Sequence, residues 1–424
     1  MLSLQYIREH PAAVRDALAR RHTEVPLEDI LEFDSHWRKV LQEAEELRAQ
    51  RNEASKRMSQ MKDRASAEFE KLRAEMRDVG DQIKELEADV LELETRRDNL
   101  LAQLPNIPDP NVPNGEDESD NQISRTWGEP RALPFEPKPH WELGEALGII
   151  DFERGQKISG SRFYVLKGAA AKLQRALITW FLDLHVGKHG YTEVYLPFMV
   201  KEECLFGAGQ LPKFADNLYR DIEDDLWMVP TAEVPITNLY RDEILPADMI
   251  PIYHVAYTPC FRREKMSAGK DVRGIKRGHQ FDKVEMYKFV EPSASEDELY
   301  KLLDDAEDIL RLLDLPYRVV ELCTGDLGFS AAQTYDLEVW APGCNEWLEV
   351  SSCSNCGDFQ ARRANVRYRP EHGARPEYLH TLNGSGLALP RVMISIMETY
   401  QREDGSIAIP DVLRPYMAGI EVIR

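Results

Sequence analysis

The segment FRREKMSAGKDVRGIKRGHQFDKVEMYKF, residues 261–289, carries nine Lys and Arg against the four acids Glu264, Asp271, Asp282 and Glu285. It is locally positive in a chain whose formal net charge is −21. A basic patch on an acidic protein is a place for a polyanion. The segment reads as strand, long loop, strand. Gly269, Gly274 and Gly278 in the loop let backbone approach a ligand closely. Basic residues on such a hairpin suit a polyphosphate, and Phe281 offers an aromatic face to a purine. Along FDKVEMYKF, strand alternation sets Phe281, Lys283 and Glu285 on one face. An acid and an aromatic ring therefore share a pocket with the arginines.

The rest of the composition narrows the setting. A chain of 424 residues is too long for one ordinary core, so two domains are expected. The 53 Lys+Arg against 74 Asp+Glu argue against a general nucleic-acid coat, not against a local one. No run of eighteen apolar residues exists, so no membrane partner is expected. The first residues lack a basic region followed by an apolar run, so no secretory signal is read. Six cysteines make no disulfide framework, which suggests reduced thiols and a cytoplasmic location. There is no GxxxxGK[ST] and no HExxH, and GSGLALP at 384–390 is not GxGxxG. Cys353 and Cys356 form a CxxC without a second pair, so no zinc is expected.

The elements that must hold the basic segment are partly legible. Phe33, Trp37, Val40, Ala44, Leu47, Arg51, Ala54, Met58, Met61 and Ala65 follow one another at steps of four and three, as do Phe69, Leu72, Met76, Val79, Ile83, Leu86, Val90, Leu93, Arg97, Leu100 and Leu104. Only Arg51 and Arg97 interrupt these apolar series. Alternating threes and fours are the 3.5-residue repeat of a left-handed coiled coil. Two long helices over about 31–104, reversing near 65–69, would pack as an antiparallel hairpin roughly 50 Å long. Residues 48–73 hold eight Lys/Arg and four Asp/Glu, so the distal end is basic. On pattern alone this arm is either a spacer or dimerisation rod or a device touching phosphate backbone. LPNIPDPNVPNGEDESDNQ, 104–122, reads as a loop or linker. The expected division is an N-terminal domain over 1–110, a linker over 111–130 and a second domain over 131–424. In that domain helical patterning covers 169–185, 296–313 and 386–400. Strand-like runs cover 191–196, 283–290, 318–322, 334–339 and 347–351. Strands without regular strand–helix alternation predict an α+β domain with an antiparallel sheet.

Several segments together resemble one family. FRRE…GHQFDKVEMYKF looks like motif 2 of class II aminoacyl-tRNA synthetases, in the form seen in seryl-tRNA synthetases. VPTAEVPITN (229–238) resembles the serine-binding TAE loop of that family, and LEVSSCSNCGDFQARRANVRYR (348–369) its signature strand. NGSGLALPRVMISIMETYQREDGSIAIPDVLRPYM (383–417) is similar to motif 3, and HGYTEVYLPFMV (189–200) to the dimer-forming motif 1. The two-helix arm resembles the family's N-terminal tRNA-binding domain. The resemblance spans nearly the whole chain in the right order. It implies a class II catalytic domain with an antiparallel sheet, preceded by a coiled-coil arm, in a homodimer. It implies activation of L-serine with ATP to seryl-adenylate, then transfer to the 3′ end of serine tRNA, with selenocysteine tRNA a further candidate. TAE followed by this form of motif 2 points to the zinc-free, bacterial-type enzyme. Arg263 stands where a small residue is expected, and Glu264-Lys265-Met266 is a less usual continuation.

The same resemblance implies roles. Arg262 would bridge the serine carboxylate and the α-phosphate, and Arg391 would take the far end of the triphosphate. Glu264 would contact adenine and Phe281 would stack on it, with Arg263 in the same contact segment. Glu349, Val350, Ser351 and Ser352 would form the ATP-binding strand, with Glu349 and Ser352 holding Mg²⁺. Because those two sit at i and i+3, a bend or bulge at Ser351–Ser352 is required. Thr231, Ala232, Glu233, Arg262, Glu285, Asn383 and Ser385 would receive serine. Two other readings stay open: a synthetase-like ligase loading a carrier protein, which would lack the arm, and an inactive paralogue, which would have lost Arg262, Glu285, Glu349 or Arg391.

Overall fold

The computed structural model describes residues 1–265 and 273–424. The expectations placed on Met266, Gly269, Lys270 and Asp271 lie outside the described residues. The chain divides into two compact units, one built from residues 2–19 and 23–104, the other from Met1, 20–22 and 105–424.

In the first unit two short helices, α1 (Leu4–Glu9) and α2 (Pro11–Arg20), precede the long α3 (Leu27–Gln60) and α4 (Ala67–Leu101). The two long helices are 34 and 35 residues, in line with the heptad reading. The reversal comes earlier than the apolar spacing suggests. The Asp63 side chain accepts the Ala65 N–H, and the Ser66 hydroxyl donates to the Asp63 carbonyl, so local polar groups outcompete the helix. Ser66 then caps α4 by accepting the Phe69 N–H at 3.3 Å, with Glu68 and Glu70 in the first turn.

Val40, Ala44, Ala54, Ile83 and Leu93 are buried in the hairpin. Arg97, which interrupts the apolar series, is buried too, at 5% exposure. Its guanidinium lies 4.6 Å from the Trp37 ring centroid and reaches Asp98 at 2.8 Å and the buried Asp34 at 3.9 Å. Asp34 also pairs with Arg38 at 3.1 Å and Arg8 at 3.5 Å. Arg51, Lys56, Arg57, Lys62 and Arg64 are exposed near the turn.

The second unit is built on an eight-stranded sheet. In chain order the strands are β1 (Gln122–Trp127), β2 (Thr192–Glu193), β3 (Ile252–Phe261), β4 (Gln280–Val290), β5 (Tyr317–Glu321), β6 (Gln333–Ala341), β7 (Glu346–Asn355) and β8 (His380–Ala388). Across the sheet they run β1-β5-β6-β7-β8-β4-β3-β2. Every pairing is antiparallel except β2 with β3. Part of the expected linker is therefore an edge strand, since β1 pairs with β5.

Three helices, α5 (Ala169–Gly187), α6 (Ser295–Leu312) and α7 (Leu389–Thr399), supply Leu177, Phe181, Leu302, Ile309, Val392 and Met393 to one core shared with Val284, Met286, Leu337 and Val350 of the sheet. Residues 283–290 are buried without alternation, because β4 is covered on both faces. The 191–196 run shrinks to the two residues of β2. The central strand β8 replaces the start of the helix read from 386. Its glycines answer to packing: a Cβ on Gly384 would lie 2.9 Å from Cys353 Sγ, and one on Gly386 2.5 Å from His185 Nε2. The helix starts only at Leu389, with Pro390 in its first turn.

Candidate active site

Side chains from segments far apart along the chain converge on one cavity of about 260 Å³. Arg262 and Glu264 follow the end of β3. Phe281, Lys283 and Glu285 come from β4, all facing the cavity as alternation predicts. Glu349 and Ser352 come from β7, Asn383 and Ser385 from β8, and Arg391 from the first turn of α7. Glu233 enters from the turn that begins the short helix Glu233–Thr237. Lys276, Arg277 and Gly278, on the returning limb of the basic loop, complete one side.

Glu349 and Ser352 share a face because of a β-bulge, and the bulge is not at Ser351–Ser352. Leu337 opposes Ser351 while the next residue of β6, Glu338, opposes Glu349. Val350 is the extra residue. It turns into the core, fully buried, and Ser351 turns inward as well, its hydroxyl 2.6 Å from the Ser385 carbonyl. These two expected nucleotide residues thus offer no side chain to the cavity.

Other expected residues stand behind the wall. Thr231 donates its hydroxyl to Glu285 Oε2 at 3.0 Å, and Ala232 is buried in a second apolar cluster. Arg263 swings away, its Nε 2.8 Å from the Leu218 carbonyl and its guanidinium 4.4 Å from the Tyr219 ring. Arg262 is held by the Pro230 carbonyl at 3.2 Å, with its guanidinium 5.2 Å from the Phe281 ring.

Two zones differ in electrostatics. Around Glu233 the cavity is acidic and desolvated. Glu233 accepts from Gln360 Nε2 at 2.5 Å and Asn383 Nδ2 at 3.2 Å. Burial, then the negative charge of Glu285, push its carboxyl up to about 7. Glu285 itself is paired with Lys283. The other zone is cationic. Arg391 pairs with Glu349 at 3.1 Å. Burial alone would raise the Glu349 carboxyl, but Arg391, Arg262 and Arg277 outweigh it and hold it below its ordinary value.

The Glu349 carboxylate and Ser352 hydroxyl on one face are hard oxygen donors, as Mg²⁺ prefers. Asp336, opposite Ser352 in the sheet, has a buried Oδ1 without a hydrogen-bond partner. Its carboxyl is pushed up by burial, then by the charge of Glu349. An orphaned carboxylate oxygen beside two hard donors fits a divalent cation.

Lys276, Arg277 and Lys283 lie in the basic segment, but their sequence does not mark them apart from the neighbouring cations. Gln360, fully buried behind Glu233, carries no local signal at all.

The chain matches the family model of the seryl-tRNA synthetase N-terminal domain over residues 1–108 and that of the class II tRNA synthetase core domain (G, H, P, S and T) over 214–400. It is 64% identical over 425 residues to the serine--tRNA ligase of Roseiflexus sp. (strain RS-1), covering 100% of both chains. The chain belongs to the seryl-tRNA synthetase family. A second relative, the serine--tRNA ligase of Thermomicrobium roseum, is 63% identical over 99% of this chain and 94% of its own. The seryl-tRNA synthetase of Pyrococcus horikoshii, solved in complex with ATP, superposes with a TM-score of 0.93 at 40% identity, covering 100% of this chain and 99% of that one. Membership in the seryl-tRNA synthetase family bears out the expected class II core with its antiparallel sheet and helical arm. No helix among the described residues is long and apolar enough to cross a membrane.

Proposed function

We propose that this chain activates L-serine with ATP, forming seryl-adenylate and pyrophosphate, and then esterifies the 3′ end of serine tRNA. The observation that carries the reading is the single cavity in which Arg262, Lys276, Arg277, Lys283 and Arg391 face Glu233, Glu285, Asn383 and Ser385. The first step brings a carboxylate oxygen onto an anionic α-phosphorus and releases pyrophosphate. The two anions must be held within about 3–3.5 Å. Arg262 suits that task, because its planar fork can engage both partners. Arg391 and Arg277 take the distal phosphates, Phe281 stacks on adenine, and Glu264 contacts its edge. Arg263, turned toward Leu218 and Tyr219, shapes this loop and leaves the nucleotide to Arg262. Glu349 and Ser352 would hold Mg²⁺, which supplies positive charge to the phosphates when bound.

Serine needs partners for an ammonium and a hydroxyl. Glu233 and Glu285 receive the ammonium, with Thr231 and Ala232 shaping the turn behind them, and Asn383 and Ser385 bound the hydroxyl side. A site built to bond a hydroxyl leaves polar groups unpaired when alanine binds, which supports rejection on the order of 10⁴. The arm over residues 1–110, with its basic turn, suits the backbone and shape of serine tRNA. Residues 131–424 form the catalytic domain, which acts in a homodimer in the cytoplasm. Selenocysteine tRNA is a second acceptor to assay.

ATP–pyrophosphate exchange with serine, alanine, threonine and glycine, in the native chain and in Arg262→Ala, tests the reading. Strong exchange with serine alone, lost in the variant, is expected. Silence with every amino acid sinks the reading. Exchange led by alanine or glycine moves the chain to the carrier-protein ligases.

A further inference from the structure

A buried polar knot lies outside the cavity and joins three of the segments that build it. His140 and Glu398 are 1% and 0% exposed. Glu398, in the last turns of α7, accepts from the His140 backbone N–H at 2.8 Å, from His140 Nδ1 at 2.9 Å and from the Cys344 thiol at 3.1 Å, all on Oε1. Its Oε2 accepts the backbone N–H groups of Gly343 and Cys344 at 2.9 Å each. The other ring nitrogen, His140 Nε2, accepts the backbone N–H of Ile275 at 3.1 Å. That contact fixes the tautomer: Nε2 is the acceptor, so the ring proton is on Nδ1 and is donated to Glu398.

His140, Cys344 and Glu398 have ligand atoms close enough to suggest a metal site. The hydrogen bonds argue otherwise. One ring nitrogen is spent on Ile275, the other carries a proton, and the carboxylate already takes five donors. A cation would have to displace most of them, whereas the knot as it stands leaves Glu398 fully satisfied.

The external partner is what gives the knot a use. Ile275 sits on the returning limb of the basic loop, and the next two residues are Lys276 and Arg277, which line the nucleotide side of the cavity. Lys276 is tied to Glu346, at the start of β7, at 2.7 Å. The approach of the limb to His140 is close: Gly274 has φ +74°, and a Cβ there would lie 2.0 Å from His140 Nε2. Only glycine admits both the left-handed backbone and the contact.

We propose that His140 is a positioning residue for the nucleotide. Through Ile275 it sets the limb that presents Lys276 and Arg277. Through Glu398 it locks that limb to the helix whose first turn carries Arg391, and to the loop at Gly343 and Cys344 that leads into β7. Three cationic side chains are thereby held in mutual register before any phosphate arrives, which is the preorganisation that electrostatic catalysis requires.

The inference rests on the cavity being the ATP site, and the test keeps the two apart. His140→Asn retains a donor toward Glu398 but cannot reach Ile275. His140→Gln retains an acceptor at the reach of Nε2. Gly274→Ala drives the limb off the His140 ring from the opposite side, with His140 itself unchanged. In ATP–pyrophosphate exchange, His140→Asn is expected to raise the KM for ATP by about tenfold, the effect of one lost buried hydrogen bond, with the KM for serine changed less than about twofold. His140→Gln should recover most of that loss, and Gly274→Ala should reproduce it. The double variant His140→Asn/Gly274→Ala should be no worse than the poorer single one, because both break the same link. Additive losses, or a lowered Tm with an unchanged KM for ATP, overturn the proposal. So does one equivalent of zinc in the purified native protein that is absent from His140→Asn, since that makes the knot a metal centre. Arg391→Ala serves as the control. An unchanged KM for ATP there rejects the nucleotide site itself, whereas an impaired Arg391→Ala beside a normal His140→Asn rejects only the present inference.

Discussion

Arg391 Nη1 donates to the main-chain carbonyl of Glu349 at 2.8 Å and pairs with its carboxylate Oε1 at 3.1 Å. The cation proposed for the triphosphate and the acid proposed for Mg²⁺ therefore neutralise one another before substrate binds. On the proposed reading, the phosphates of ATP would take Arg391 and Glu349 would be freed to hold Mg²⁺. Arg391→Ala is expected to lower kcat/KM for ATP by on the order of 10²-fold, with Arg391→Lys recovering little because an ammonium lacks the fork. Exchange kinetics against ATP concentration check this, and near-native values in Arg391→Ala would remove the residue from the site.

If Glu233 receives the serine ammonium as proposed, serine binding depends on pH. Its carboxyl titrates at about 7 because burial and the neighbouring Glu285 oppose its charge. Below that value it is protonated and offers no charge to an ammonium, so the KM for serine should be high near pH 6 and reach its low plateau above about pH 8. The stability term has the opposite sense. A raised folded-state pKa means that the folded chain holds a proton the unfolded chain has released, so the contribution is fully present below about pH 4 and is lost as pH rises through about 7. Glu233→Gln should flatten the serine profile and weaken binding at pH 8. A native serine KM that ignores pH across this range contradicts the assignment.

Gln360 is the support of that carboxylate. Its Nε2 donates to Glu233 and to the Ala208 carbonyl, and its Oε1 accepts from Tyr287 and Thr381 at 2.9 and 2.7 Å. Gln360→Leu takes one buried partner from each of these groups, although Glu233 keeps Asn383 and Tyr287 keeps Thr237, and is expected to cost about 2–4 kcal/mol of stability. It should raise the KM for serine by about tenfold while the KM for ATP stays near native. Urea unfolding and exchange kinetics read the two effects, and equal losses for both substrates would deny Gln360 a specific role.

Within the arm, Asp34 is 2% exposed and compensates the buried Arg97 together with Arg38 and Arg8. Asp34→Ala strips Arg97 of one partner but leaves Asp98, Glu94 and the Trp37 ring. A loss of about 1–3 kcal/mol follows, smaller than for a buried pair with no alternative partner. Replacing Arg97 by Met as well should restore much of it. Thermal unfolding followed by circular dichroism decides, and a neutral Asp34→Ala would show the ion pair to be incidental.

The basic turn of the arm should matter only for tRNA. Replacing Arg51, Lys56, Arg57 and Lys62 with Gln is expected to raise the KM for tRNA and to flatten its dependence on salt, while ATP–pyrophosphate exchange is unaffected. If aminoacylation keeps its native salt slope, the exposed cations at the turn are a solvated surface and nothing more.

Much of this was legible in the chain because the deciding forces are local or periodic. The heptad spacing from Phe33 to Leu104 prescribes two long helices, since a 3.5-residue repeat can bury its apolar stripe only against another helix. Alternation along FDKVEMYKF puts Phe281, Lys283 and Glu285 on one face, as β4 presents them. The cluster of cations from Arg262 to Lys288 marks a polyanion site, and the family resemblance assigns parts to its members.

What the sequence did not decide depends on neighbours distant along the chain. Glu349 and Ser352 meet only because Val350 is squeezed out of register against Leu337 and Glu338 of the adjoining strand. NGSGLALP looks like the run-in to a helix until Cys353 and His185 press against Gly384 and Gly386 and leave room only for backbone. Arg97 breaks an apolar stripe in one dimension, yet Asp34 and Trp37 make it a buried residue in three. Gln360 and His140 show no pattern of their own, because their work is defined by Glu233 and Ile275, over a hundred positions away. Periodicity and charge fix which residues are available for chemistry. Close packing, with its demand that each buried donor and acceptor find a partner, fixes where they stand.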